Sequence, residues 1–225
     1  MTYDAIVVGA GPAGSTTAKF LSEKGLKTLL IDKEKFPRDK PCGGGLPLRV
    51  LQRFPYVDNS INIEAYSSSG TVFSPSLKYQ IEIKRDTPII CTILRKKFDF
   101  ELVKYAQDAG AVFKEEAPLS TVQITKDNVQ VTLIDGTRFN TEVVVGADGT
   151  NSIIARDTGL RTPGTEKGVC VLQEFEVDEK IMDDYFTKSR HCYIHSRFNT
   201  TAGYGWVFAK KHLSLIHISE PTRPY

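Results

Sequence analysis

With 225 residues, 40% of them hydrophobic, and a formal net charge of +2, the chain has enough length for one or two domains and a sizeable core. Charges of both signs are interspersed, which gives no case for nucleic acid as a partner; the densest basic stretches, Lys33–Lys40 and Arg95–Lys97, fit solvated faces or a phosphate contact. Cys42, Cys91, Cys170 and Cys192 show no paired spacing, no run reaches the roughly 18 apolar residues of a membrane span, and a charged-then-apolar leader is lacking. A reduced, cytoplasmic setting is therefore expected, with peripheral membrane contact left open.

The apolar run Tyr3–Val8 leads into Gly9-Ala10-Gly11-Pro12-Ala13-Gly14, and a helical stretch follows. A strand that enters Gly-x-Gly-x-x-Gly and leaves as a helix is the dinucleotide fingerprint in its required context. Gly9 permits the tight turn, Gly11 leaves room for a pyrophosphate, and Gly14 lets helix and strand pack closely, while free amides at the helix start attract negative charge. Pro12 fits the first helical turn, where its missing N–H costs nothing, and Gly25 supplies the stop. The next strand, Lys27–Ile31, ends in Asp32, at the spacing where a carboxylate accepts hydrogen bonds from an adenosine ribose. That carboxylate would repel a 2'-phosphate, so FAD or NAD is expected rather than NADP.

Further along, Phe36–Gly45 is a loop by its Pro and Gly content, and Leu46–Phe54 is suited to a short helix. Residues 61–94 have the pattern of strands, with Ile81 and Ile83 alternating with Glu82 and Lys84. From Phe98 the period becomes helical, placing Leu102, Tyr105, Ala106 and Ala109 on one face, with Gly110 as the stop. Two strands follow within Val122–Leu133, then a hairpin signal at Asp135-Gly136. The run Glu142–Val145 reads as a strand buried on both faces of a parallel sheet, and it delivers Gly146-Ala147-Asp148-Gly149. Near the other end, Tyr204, Trp206 and Phe208 alternate, so a strand presents their rings on one face, fit for an apolar tunnel or for ordinary sheet core. His191, Cys192 and His195 are expected on a strand whose neighbouring side chains point to opposite faces, and no metal site is expected there.

Asp148-Gly149-Thr150-Asn151-Ser152, with Arg156 beyond it, resembles the Asp-Gly motif of single-dinucleotide-fold flavoproteins such as the aromatic hydroxylases. Lys40-Pro41-Cys42-Gly43-Gly44-Gly45-Leu46 and Gly203–Lys210 resemble the geranylgeranyl reductase family, especially its archaeal members acting on membrane-lipid precursors. The likeness runs from residue 1 to about residue 212; Ala209 stands where the family usually has proline. It implies an α/β protein with a Rossmann-like FAD-binding fold of the aromatic-hydroxylase type and a partial β-sheet substrate domain. The FAD-binding domain is expected over residues 1–160, with a β-rich insertion at about 55–94, and the substrate domain begins over 161–212.

The resemblance also implies non-covalent FAD, a prenylated lipid substrate whose isolated double bonds are hydrogenated, and NADPH, ferredoxin or another external electron donor. Its site residues map to Ala13 and Gly14 at the pyrophosphate, Asp32 at the ribose, and Cys42, Gly43 and Gly45 in a loop near the flavin. Arg95 matches a cofactor-contacting arginine, Leu119 a backbone contact to adenine, and Asp148 and Gly149 the Asp-Gly cofactor motif. An isolated alkene is not polarised by a carbonyl, so hydride delivery must be coupled to protonation. A cysteine thiol, ordinarily with a pKa of about 8.5, is mostly protonated at neutral pH. Cys42 is accordingly the candidate catalytic proton donor, against the alternative of a small residue packed in a crowded loop.

Leu213–Tyr225 (LSLIHISEPTRPY) resembles an in-frame translation of a sequencing-library adapter and is expected to be non-native and outside the fold. Family members continue for roughly as long again, so the chain reads as truncated. Two alternatives to a prenyl reductase stand: a related FAD-dependent hydroxylase or halogenase, and an inactive nucleotide-binding fragment.

Overall fold

The structure, a computed structural model, describes residues 2–57, 63–161, 168–198, 201–211 and 213–221. In chain order its elements are β1 (Thr2–Val8), α1 (Pro12–Glu23), β2 (Thr28–Ile31), β3 (Gly45–Pro47), α2 (Leu48–Arg53), β4 (Ile63–Ser67), β5 (Ser69–Phe73), β6 (Gln80–Lys84) and β7 (Ile90–Ile93). These are followed by α3 (Arg95–Asp108), β8 (Val112–Lys114), β9 (Leu119–Ile124), β10 (Val129–Leu133), β11 (Arg138–Gly146) and α4 (Ile153–Asp157). The last are β12 (Gly168–Glu176), α5 (Glu179–Phe186), β13 (Cys192–Phe198), β14 (Thr201–Ala209) and β15 (Leu213–Pro221). Two compact units result: Met1–Asp39 with Lys96–Gly164, and Lys40–Arg95 with Thr165–Tyr225.

The first unit is a six-stranded sheet in the order β8-β2-β1-β11-β10-β9. β8, β2, β1 and β11 run parallel, and β10 and β9 complete the sheet antiparallel. Strand alternation splits the core in two. Ile6, Val8, Leu29 and Ile31 pack on one face with Leu119, Val131 and Leu133; Val7 and Leu30 pack on the other with Ala18 of α1 and Val103 and Ala106 of α3. Residues buried on both faces make the continuous apolar runs of a parallel sheet. The Asp135-Gly136 hairpin forms, with the Leu133 N–H donating to Thr137 O at 2.9 Å and the Thr137 N–H to Asp135 Oδ1 at 2.8 Å.

Two expectations for this unit are corrected. α3 begins at Arg95 and buries Phe98, Asp99, Leu102, Val103 and Ala106, not Tyr105 and Ala109. The buried stripe takes in Asp99, whose carboxylate meets Arg38, 2.9 Å away. Nor is Glu142–Val145 buried on both faces: Val143 is 53% exposed. β10 pairs only as far as Thr141, so the C-terminal half of β11 has β1 alone beside it among the described residues.

α4 is tied to β9 through Asp157, whose Oδ2 accepts from the Thr121 hydroxyl at 2.9 Å and the Val122 N–H at 3.1 Å. The Arg156 guanidinium hydrogen-bonded to Asp157 holds this carboxyl below the usual aspartate range; burial opposes it as the next-largest effect, and the Val122 and Thr121 bonds add to the lowering. A pKa lowered by folding stabilises the native state above the unfolded value, and this contribution disappears as pH falls through the folded value. Asp157→Asn is therefore expected to flatten the fall in thermal midpoint below about pH 4. Superimposable acid limbs for the two proteins would dissociate Asp157 from acid unfolding.

The second unit contains a six-stranded sheet, β12-β15-β14-β13-β5-β6, and a three-stranded sheet, β3-β7-β4. Leu46 and Pro47, expected to open a helix, instead pair with Cys91 and Ile90 of β7, and the helix starts at Leu48. The Pro47 φ and ψ of −57° and 137° make it the switch from strand to helix. β6 lies at a sheet edge, and its Ile81 and Ile83 stay 69% and 43% exposed despite their alternation. Leu213–Pro221, expected to lie outside the fold, forms β15 between β12 and β14, pairing from Glu176↔Leu213 to Gly168↔Pro221 on one side. On the other side it runs from Ala209↔Ser214 to Tyr204↔Ser219. A strand needs ladder-forming backbone and β-favouring side chains, and this Leu- and Ile-rich stretch supplies both whatever its origin.

Candidate FAD site

The glycine loop is built by close backbone approach. Gly9 has a φ of +99°, and a Cβ there would lie 2.3 Å from Ala147 O. A Cβ on Gly14 would lie 1.7 Å from Gly9 O. The loop is clamped between strands, because the Gly9 N–H donates to Ile31 O and the Ala147 N–H to Val8 O, each at 2.8 Å. Gly11 is different: the nearest atom to its missing Cβ is Arg38 Nη2 at 3.6 Å, so the space above it is open. Gly11 is also the N-cap of α1 and, having no side chain, provides no side-chain cap; Pro12 occupies the first turn. The Ala13 and Gly14 amides in that turn have no intrahelical acceptor, and with the helix dipole they form an anion site.

Asp32 does more than its sequence position implied. It is 8% exposed, and its Oδ2 accepts from the Ala10 N–H at 2.6 Å while Oδ1 accepts from the Glu34 N–H at 2.9 Å. The carboxylate therefore ties the glycine loop to the exit of β2. Each oxygen has more than one lone pair, which leaves acceptor capacity for ribose hydroxyls.

The Asp-Gly motif has a structural duty as well. Asp148 Oδ2 accepts from the Ile153 and Ile154 amides at 2.7 and 3.2 Å, and the Ser152 hydroxyl donates to Oδ1, so Asp148 holds the start of α4. Gly149 next to it has no atom within 4 Å of an added Cβ. Leu119 opens β9, in register with Leu133 of β10, and its side chain lies in the core. Arg95 is the half-buried first residue of α3. Arg38, at Gly11, belongs to a basic stretch that sequence reading left between solvated face and phosphate contact; its partner Asp99 is the signal that was missing.

In the second unit the two reductase-like stretches meet. A Cβ on Gly43 would lie 2.3 Å from Trp206 Nε1, and one on Gly45 2.6 Å from Phe208 Cε2. Tyr204, Trp206 and Phe208 form a row along β14 with ring centroids 4.9 and 6.0 Å apart. Phe208 is buried and Tyr204 is 52% exposed, so the row runs from sheet core to surface. Cys42 is half-buried. His191 lies between two hydroxyls, Ser69 Oγ at 2.8 Å from Nδ1 and Thr71 Oγ1 at 2.8 Å from Nε2, while His195 stacks on Phe73 at 4.7 Å.

A parallel sheet entered through Gly-x-Gly-x-x-Gly, with an acidic strand end and a β-rich second unit, defines a FAD-binding α/β protein of the p-hydroxybenzoate-hydroxylase-like class. The family model described as FAD binding domain matches residues 2–206, and the chain belongs to that family. It is 35% identical over 219 residues to the digeranylgeranylglycerophospholipid reductase of Methanocella arvoryzae, covering 92% of this chain and 54% of the relative. Among solved structures it is similar to a geranylgeranyl bacteriochlorophyll reductase-like protein of Thermoplasma acidophilum, with a TM-score of 0.83, 26% identity, and 97% of this chain and 56% of that one covered. The flavin-dependent brominase Bmp2 shares the fold at a TM-score of 0.79 and 20% identity, over 99% of this chain and 56% of the other. The chain spans about half the length of the curated relatives it matches. FAD is the cofactor, and the residues fit its adenosine diphosphate half: an open space over Gly11, helix amides without a side-chain cap, and in Asp32 a carboxylate beside the glycine loop with acceptor capacity left over. Among the described residues no helix is long and apolar enough to cross a membrane.

Proposed function

We propose that these residues serve FAD-dependent reduction of isolated C=C bonds in geranylgeranyl-type chains of membrane-lipid precursors. The observation that carries this reading is the packing of the Gly43–Gly45 loop against Trp206 and Phe208, which joins the two stretches that resemble prenyl reductases. The names of the Methanocella and Thermoplasma relatives support it. Reduced FAD supplies the hydride equivalent, its electrons coming from an external donor such as NADPH or ferredoxin. The second hydrogen arrives as a proton: the Cys42 Sγ–H gives it to the alkene carbon not receiving hydride, and solvent returns the thiolate to thiol. Tyr204, Trp206 and Phe208 line the path of the prenyl chain, their faces favouring the positive charge that develops during protonation. Such a substrate places the protein at a membrane surface for at least part of its cycle.

The test uses the full 225-residue chain supplied with FAD and a chemical reductant. Cys42→Ser is expected to retain FAD absorbance but to slow single-turnover reduction of geranylgeranyl lipid by about 10²- to 10⁴-fold, the range for a lost acid–base group, read as product mass. Unchanged turnover removes Cys42 from proton delivery. An oxygenated or halogenated product in place of a saturated one replaces the reductase reading by the hydroxylase or halogenase one.

A further inference from the structure

We propose that Arg38 is a phosphate-positioning residue of the FAD site, aligned by the buried Asp99 so that its guanidinium meets the diphosphate passing over Gly11. Arg38 Nη2 lies 2.9 Å from Asp99 Oδ2, with the Asp99 side chain wholly buried and that of Arg38 12% exposed. The guanidinium sits over the Phe36 ring, 5.0 Å from its centroid. The same Nη2 is 3.6 Å from where a Gly11 Cβ would be. Nη1 is buried and has no hydrogen-bond partner.

These facts do not add up to a merely structural ion pair. A guanidinium carries five N–H donors, and burying some of them without acceptors is unfavourable unless a partner arrives. A guanidinium offers only donors, so the further partner it suits is an anion, and Nη2 sets the group beside the space over Gly11. The uncapped amides at the start of α1 favour an anion at the same place. A diphosphate satisfies both sets of donors at once. Arginine suits the position better than lysine because its planar fork can hold Asp99 on one nitrogen while offering others to phosphate oxygens. The inward turn of Asp99 in α3 thus has a functional reason: it orients the phosphate-facing cation. Asp99 is accordingly a positioning residue, acting through Arg38.

Probes that differ only in phosphate separate this role from a structural one. Binding of FAD, ADP and adenosine to the full chain is measured by calorimetry, alongside the thermal midpoint of each variant. Arg38→Gln is expected to weaken FAD and ADP about ten- to hundred-fold, the loss of a charge-assisted hydrogen bond, while adenosine affinity stays the same. Asp99→Asn is expected to weaken ADP by a smaller factor, again sparing adenosine. Equal losses for ADP and adenosine, or no loss for either, would overturn the proposal. If Arg38→Gln fails to fold, Arg38→Lys decides: it keeps a cation for Asp99, and weaker ADP binding with unaltered adenosine binding supports the proposal, whereas wild-type ADP affinity refutes the need for the fork.

Discussion

Gly14→Ala is expected to abolish FAD binding and to remove most of the stability of the first unit. The added methyl would sit 1.7 Å from Gly9 O, 3.0 Å from Gly9 C and 3.2 Å from Ala147 Cβ, and the first two of these atoms are backbone that cannot rotate away. Gly9 itself is hemmed in by Ala147 O, so the strain cannot be passed along the loop. α1 would have to withdraw from β1, opening the layer in which Ser15 and Ala18 are fully buried. Overpacking that side chains can absorb costs about 1–3 kcal/mol. A clash with backbone should exceed about 3 kcal/mol, against a total of about 5–15 kcal/mol for a typical domain. Gly25→Ala is the control: its φ is +82° but no atom lies within 4 Å of the added Cβ, so only left-handed strain of about 1–2 kcal/mol applies. Urea unfolding with parallel FAD titration measures both. A Gly14→Ala protein as stable as Gly25→Ala would mean that helix and strand do not approach as closely as described.

Asp32→Asn is expected to lose on two counts, because the carboxylate serves the loop as well as the ribose. Ala10 and Glu34 donate backbone N–H groups to opposite oxygens. An asparagine can accept one of them on its amide oxygen and must present its NH₂ to the other, donor against donor. Hydrogen bonds to charged groups contribute about 1.5–3 kcal/mol each, so unfolding stability should fall by about that amount, and FAD affinity by about ten- to hundred-fold from the weaker ribose acceptor. Unfolding and titration separate the two losses. Equal FAD affinity would show that Asp32 does not face the ribose, and an unchanged unfolding midpoint would show that its bonds to Ala10 and Glu34 contribute nothing to the fold.

What could be known from sequence alone was local. The tight turn at Gly9, the close packing at Gly14, the acidic end of β2 and the Asp135-Gly136 hairpin all depend on residues a few positions apart or on fixed backbone periods, and those are visible in a string of letters. The Asp-Gly motif was visible too, but not that Asp148 spends its carboxylate on the amides of Ile153 and Ile154. Tertiary structure decided the rest, because each remaining feature is a meeting of segments whose separate patterns carry no record of each other. Hydrophobic period assigned Tyr105 and Ala109 to the core and could not show Asp99 there, because its burial beside Arg38 depends on a distant segment. The glycines at 43 and 45 became legible as clearances only when Trp206 and Phe208 came to lie against them. Val143 was assigned to a doubly covered strand, but coverage depends on how far β10 extends along β11, and β10 stops at Thr141. Leu213–Pro221, set aside on its letters, took a place between β12 and β14 because ladder hydrogen bonds come from the backbone, which every residue but proline can offer in full.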